Sequence, residues 1–294
     1  MTVKEVSRLP SYGGQALIEG ILMRGRKFVV AAFRTPTGSI HVEKEELVGI
    51  YKTKFAKLPF FRGLVILWDS LSLGMKYLTL SANIQTGEDE QIEGVSLFLT
   101  LLVSLSFSVG LFFILPTLIS SLLSNIFPLS GFLFNFFEGI IRLFILILYL
   151  WAIGKSNEIA RVFGYHGAEH KTINTYENNK DIIINNVQKY SLAHARCGTS
   201  FLLTLVLLSI IIFSLLGPMG FWERIISRIL MLPVLAMISY EVIKWMGDNR
   251  NNSFVKILSY PNLILQNLTT REPDDEMVEV AITAFNELLK LENV

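Results

Sequence analysis

The sequence predicts a mainly α-helical, polytopic membrane protein with about four transmembrane helices, one interfacial helix and a small β-hairpin element near the N-terminus. Three observations carry this. From Gly94 to Phe137 no residue is charged and none is histidine, and the same holds from Cys197 to Trp222. An apolar run of roughly 18 residues or more is long enough to cross a bilayer. Only 17% of the 294 residues are charged, against roughly 25% in average soluble chains, and the mean hydropathy is +0.48. This composition excludes a plain soluble enzyme, a disordered chain and a disulfide-rich secreted domain. The net charge of +1 gives no global attraction to nucleic acid, and the single cysteine, Cys197, fits a reducing compartment.

Four spans are expected. The first runs from about Val95 to Leu115 and stops near Pro116. The second runs from about Phe132 to Ile153. The third, Ser200 to Leu216, is closed by Gly217 and Pro218 and is short for a hydrocarbon core of roughly 30 Å. The fourth runs from about Ile225 to Trp245. The apolar stretch from Phe60 to Leu80 contains Arg62, Asp69 and Lys76, so it reads as an interfacial or bundle-packed helix. Met1 to Gly14 lacks the apolar core of a signal peptide, so insertion is expected to rely on the internal spans.

Lysine and arginine set the expected orientation. They are concentrated in the N-terminal region 1–94, the central loop 154–199 and the tail 246–294. The turn between spans one and two has none, and the turn between spans three and four has only Arg224. Both termini and the central loop are therefore expected on the cytoplasmic side of the membrane, with segments 95–153 and 200–245 embedded. On that side, Phe28 to Arg34 and Ser39 to Glu43 flank Thr35-Pro36-Thr37-Gly38, the pattern of a hairpin. Pro273 starts a terminal helix with Asp274, Asp275 and Glu276 at its positive end. Val278, Ala281, Phe285, Leu288 and Leu289 repeat at helical spacing.

The chemistry concentrates in Tyr165-His166-Gly167-Ala168-Glu169-His170-Lys171. On a helix, His166, Glu169 and His170 share one face, the two imidazoles about 40° apart. Two imidazoles at i, i+4 can reach one ion, and the adjacent carboxylate can address water. This is the H-x-x-E-H order of inverted zinc hydrolases. His194 and Cys197 follow just before span three. His166, His170, His194 and Cys197 make a nitrogen and sulfur set suited to Zn²⁺, at the depth where spans two and three meet the cytoplasm. The bland alternative is ordinary hydrogen bonding, with Glu169 and Lys171 on a solvated face.

Other residues carry weaker signals. Glu241, near the cytoplasmic end of span four, is a further candidate metal ligand, because a carboxylate in a span is costly. A salt bridge to Lys244 or Arg228 is its alternative. Glu138 and Arg142 stand at i, i+4 in the favourable order and read as structural neutralisation. Asp69 is expected to pair with Arg62 or with a span residue. Gly13-Gly14-Gln15-Ala16-Leu17-Ile18-Glu19-Gly20 reads as a tight turn, with Glu19 and Arg24 as possible pocket residues. His41 reads as exposed. Cys197 as a thiol nucleophile beside His194 lacks a supporting signature.

At these residues the chain resembles the YqhQ-like family, domain of unknown function 1385. The resemblance covers most of the chain. It rests on Gly13-Gly14-Gln15-Ala16, Glu19-Gly20, Met23-Arg24 and Phe61-Arg62-Gly63, and continues in the His166–Lys171 motif and Tyr176-Glu177. Further along it includes Arg196-Cys197-Gly198-Thr199-Ser200-Phe201, Ser239-Tyr240-Glu241 and Leu268-Thr269-Thr270-Arg271-Glu272-Pro273-Asp274-Asp275. Ala195 stands where the family usually has proline, which is expected to loosen that turn. The resemblance implies a bacterial integral membrane protein described as a predicted metal-dependent enzyme, and implies no substrate.

Two functions are expected from this. In the first, the protein is a membrane-embedded, zinc-dependent hydrolase with a cytoplasm-facing site. His166 and His170 bind Zn²⁺, His194 or Cys197 completes the shell, and Glu169 is the general base. Its substrate is a lipid, a peptide or a membrane-protein segment. In the second, all four ligands close a structural site, and the protein is a scaffold or accessory factor in membrane-protein insertion or secretion. The partners expected are the lipid bilayer and a membrane protein, with no nucleic acid.

Overall fold

The computed structural model describes residues 12–48, 58–87, 91–194, 197–249 and 251–293. Its N-terminal part is a four-stranded antiparallel meander, β1 Gly13–Leu17, β2 Gly20–Arg24, β3 Phe28–Arg34 and β4 Ile40–Glu46, in that spatial order. The expected hairpin is β3–β4, and Gly38 at φ 86 makes its turn. The glycine-rich segment expected to be only a turn is instead strand β1, paired with β2 through a two-residue connection, Ile18-Glu19.

The sheet is buried on both faces, which is why β3 is an unbroken apolar run. Ile21, Met23, Val30 and Ala32 pack against two helices, α5 (Asn157–Glu177) and α11 (Asp275–Glu292). Leu17, Leu22, Val29, Ala31 and Phe33 pack against α1 (Phe61–Thr86) through Leu73 and Tyr77. The edge strand β4 is held by charge, Lys44 to Glu287 at 2.6 Å and Glu45 to Lys76 at 2.6 Å. The terminal helix α11 forms as its sequence predicts. Asp274 caps it by accepting from the Met277 N–H at 2.8 Å, and Val278, Ala281, Phe285 and Leu288 are wholly buried.

The apolar part differs from the expected four spans. Helices α2 (Gly94–Val109) and α3 (Leu115–Ile126) are joined by a π-helical turn, Gly110–Ile114, into one 33-residue helix. Pro116 does not stop it. The π-turn shifts the hydrogen-bond ladder, and Arg142 Nε takes up the Phe112 carbonyl that Pro116 cannot serve, at 2.9 Å. Helix α4 (Gly131–Ile153) is the expected second span. Helix α7 (Gly198–Ser214) is apolar but only 17 residues long. The expected fourth span is two helices, α8 (Phe221–Leu230) and α9 (Leu232–Asp248), bent by 45° beside Pro233. Among the described residues, two helices are long and apolar enough to cross a membrane, or three if the bent pair counts as one span.

These helices form a bundle in which α4 packs on α3 and α7, α7 on α9, and α9 on α1. Glu138 is buried there against Arg142 at 2.5 Å and Arg228 at 3.3 Å, with Arg224 at 3.9 Å. The expected helical pair is thus part of a larger charge cluster. A short helix, α6 (Ile184–Val187), lies beside α5 and α11. The tail contains a helix not read from the sequence, α10 (Ser253–Thr269), which packs on α7 and exposes Phe254, Ile257 and Tyr260.

Candidate metal centre and its cavity

Helix α5 carries His166, Glu169 and His170 on the face that meets the start of α7. Its approach to the segment after α10 depends on Gly167, where an added Cβ would lie 2.1 Å from the Arg271 carbonyl oxygen. That segment is tied to α5 by the Arg271 N–H donating to the Phe163 carbonyl at 2.9 Å. The alternative of a solvated face does not hold, since Glu169 and Lys171 are both buried. Lys171 pairs with Glu272 at 2.6 Å and donates to the Gln188 carbonyl at 2.9 Å.

One ligand atom each from His166, His170 and Cys197 lies within 4.8 Å of the other two. His166 Nε2 is 3.2 Å from Cys197 Sγ, and the His166 and His170 rings stand 4.4 Å apart. The outer nitrogens are fixed by backbone carbonyls. His166 Nδ1 meets the Thr269 carbonyl at 2.8 Å, and His170 Nδ1 meets that of Leu192 at 2.5 Å. An N–H donated to a carbonyl at Nδ1 leaves the Nε2 lone pair free, which is how metal-binding histidines are oriented. His170 Nε2 is buried and has no hydrogen-bond partner among the described residues. Burial lowers the His170 pKa and so favours the neutral, ligating form. Cys197 caps α7, its sulfur accepting from the Thr199 N–H at 3.4 Å. The donor set and the orphaned nitrogen both fit a zinc ion.

His194 stands beside this group. Its ring is 5.5 Å from that of His170, and its Nε2 faces Glu177 Oε1 at 3.6 Å. Gln266 pins its backbone on both sides, accepting from the N–H and donating to the carbonyl, each at 2.9 Å. Glu241 is elsewhere. Its carboxylate accepts from Arg62 Nε at 2.7 Å and from the Phe60 N–H at 2.9 Å, a partner that neither reading of the sequence anticipated. Ala195 and Arg196 lie outside the described residues.

His166, Glu169 and Cys197 line one cavity of about 570 Å³, between the sheet, α1, α5, α7 and α9. Burial pushes the Glu169 carboxyl up to about 7, against the opposing pull of His166 and the Gly14 backbone N–H. Gly14 makes room for that side chain, since a Cβ there would lie 2.9 Å from Glu169 Cδ. Farther out the cavity is lined by Arg24 and Asp69, which form an ion pair between β2 and α1. Of the two N-terminal candidates, Arg24 faces the cavity. Glu19 is bound instead by Arg161, at 2.5 and 2.6 Å, and by the Tyr165 hydroxyl at 3.1 Å. His41 is exposed beside Glu43, at 2.8 Å.

Neither Gln266 nor the carbonyls of Leu192 and Thr269 could be singled out from the residues alone. A backbone oxygen leaves no residue signature, and a buried glutamine is recognised only by what it touches.

These features define a mainly helical protein with membrane-length helices, a small double-faced sheet and a His, His and Cys cluster beside a cavity that also holds Glu169. A family model described as "Protein of unknown function (DUF1385)" matches residues 58–291, and the chain belongs to that family. It is similar to "Uncharacterized protein YqhQ" of Bacillus subtilis (strain 168), 38% identical over 298 residues that cover 96% of this chain and 93% of the relative. No solved structure matches the chain. Neither description carries the metal-dependent activity that the resemblance implied.

Proposed function

We propose that this protein is a zinc-dependent hydrolase of the bacterial cytoplasmic membrane, with its site facing the cytoplasm. The observation that carries the reading is the count of gathered ligands. Three side chains converge, and two of them, His166 and Cys197, line a cavity that also holds Glu169. Three protein ligands with one position left open distinguish catalytic zinc from the closed four-ligand structural kind. The scaffold reading needs His194 in the set, and its Nε2 is turned to Glu177.

His166, His170 and Cys197 would hold the ion, which supplies Lewis-acid activation of water and of a carbonyl or phosphoryl oxygen. The chain's own residues do the rest. Thr269 and Leu192 hold the imidazoles in one tautomer. Glu169, buried on the cavity beside these ligands, is suited to take a proton from water and return it to a leaving group. The orientation follows from the clustering of Lys and Arg in regions 1–94, 154–199 and 246–294.

A second reading has one observation in its favour. Cys197 lies at the N-terminus of α7 and 3.2 Å from His166 Nε2, an arrangement that also activates a thiol nucleophile.

The deciding experiment measures zinc and hydrolysis of membrane lipids and peptides on detergent-purified protein. Near-stoichiometric zinc, kept in Glu169→Gln while turnover is lost, supports the hydrolase. Turnover without metal, abolished by Cys197→Ser, supports the thiol. Stoichiometric zinc with four protein ligands and no turnover supports the scaffold.

A further inference from the structure

We infer that the cavity takes a membrane lipid, admitted sideways between α1 and α9, with its charged headgroup at the Arg24–Asp69 pair and an acyl chain along Ile66, Leu67 and Ile243. The inference deepens the hydrolase reading by naming its substrate class, and depends on that reading only for what happens at the metal end.

Four features of the structure lead to it. Helix α1 has two apolar faces. One packs on the sheet and lines the cavity, while Leu64, Trp68 and Leu71 form a stripe on the other side. Trp68 is 64% exposed and Leu71 56% exposed. An exposed apolar stripe with tryptophan on a helix that also carries Arg62 and Lys76 is the pattern of a helix lying in a bilayer interface. Leu67 belongs to both surfaces, bordering the outer stripe and the cavity. The rim of the cavity is therefore part of the face that meets lipid.

The gap between the two helices is fixed at one end. Gly63 lets α1 press on α9, where an added Cβ would lie 3.0 Å from Tyr240 Cβ and 3.1 Å from Met237 Cα. Arg62 and Glu241 tie the same point by an ion pair. Past that clamp, Ile66, Leu67, Ser70 and Ile243 line the open space. Apolar side chains of the helices, Ile66, Leu67 and Ile243, line it beside two charged pairs, Lys244 and Asp248 of α9 at 2.7 Å and Arg24 of β2 with Asp69 of α1. Asp69 is almost wholly buried. Charges of both signs beside an apolar wall suit an amphiphile better than a polar peptide. A volume of about 570 Å³ is within the roughly 300–1,000 Å³ of small-ligand sites.

The test is photolabelling in vesicles of phosphatidylethanolamine and phosphatidylglycerol doped with a phospholipid that carries a diazirine in one acyl chain. Labelled residues are read by peptide mass spectrometry on the full-length protein. The expected result is labelling of Ile66, Leu67 and Ile243 above the level on the outward face of α2. Leu67→Arg, which puts an unpaired charge on the apolar path, should reduce it about tenfold while labelling of α2 is unchanged. Labelling confined to Trp68, Leu71 and α2 overturns the inference, since those positions meet bulk lipid in any case. A diazirine-bearing apolar peptide that labels Ile66 and Ile243 where the lipid does not also overturns it, and assigns the cavity to a peptide. The same map on zinc-free Cys197→Ser and on Glu169→Gln separates the two proposals. Cavity labelling in both variants together with no turnover by the zinc-loaded wild type keeps the lipid and rejects the hydrolase, while zinc-dependent turnover by the wild type without cavity labelling does the reverse.

Discussion

Arg142 donates from Nε to the carbonyl oxygen of Phe112 at 2.9 Å, the carbonyl for which Pro116 has no N–H to offer. The same guanidinium pairs with Glu138 at 2.5 Å. One side chain thus satisfies a broken helix ladder and a buried carboxylate together. Arg142→Met is expected to strand the Phe112 carbonyl, leaving Glu138 to Arg228 and Arg224, and to destabilise the protein by about 2 kcal/mol, the usual cost of an unsatisfied buried polar group. Thermal unfolding in detergent reads it. Glu138→Gln with Arg142→Met should unfold at a lower temperature still, since Arg228 then loses its buried carboxylate.

Gly167→Ala tests the approach of α5 to the segment that supplies Thr269. With the new Cβ 2.1 Å from the Arg271 oxygen, the helix must shift, at an expected cost of about 3 kcal/mol. The His166 to Thr269 contact should loosen with it, so zinc affinity falls alongside the melting temperature. Gly13→Ala, whose Cβ meets nothing within 4 Å, is the control and should be silent.

The ligand assignment predicts a split among five residues. His166→Ala, His170→Ala and Cys197→Ser should each lose most of the zinc measured by elemental analysis. His194→Ala and Glu241→Gln should retain it. Chelation should lower the melting temperature of the wild type, since a ligand at 100 times its Kd stabilises by about 2.7 kcal/mol. Equal zinc in all five variants would remove the site.

Acid stability should depend on Glu19. Its pKa lies below the ordinary 4.5, first because Arg161 donates to it and also because Tyr165 does. A depressed carboxylate adds stability above the unfolded pKa and loses it as pH falls through the folded one. The loss is therefore expected below about pH 4.5. Arg161 is half exposed, so the effect is about 1 kcal/mol or less. Glu19→Gln should melt lower at pH 7 and show a flatter decline from pH 5 to pH 3 by circular dichroism.

Much of this was legible in the residues. The apolar runs marked α2, α4 and α7, because a stretch without charge has few places to go but a membrane or a core. Thr35 to Gly38 marked the β3–β4 turn, since glycine takes the positive φ that the turn needs. Pro273 and the acidic run Asp274 to Glu276 marked the start of α11 through the helix dipole, and the helix begins at Asp275 with Asp274 as its cap. His166, Glu169 and His170 shared a face by helical geometry, and the structure gathers two of them with Cys197 across 31 residues of chain.

What the sequence by itself determined is therefore local: helix and strand type, the apolar segments, and the residues able to hold a metal. What only the tertiary structure decided is which of them meet. Glu241 went to Arg62, His194 turned to Glu177, β1 became a strand only by pairing with β2, and the expected fourth span bent at Met231. Each of these depends on a partner far away in the chain, and spacing along a sequence fixes the direction of a side chain on its own element but not the neighbour it finds there.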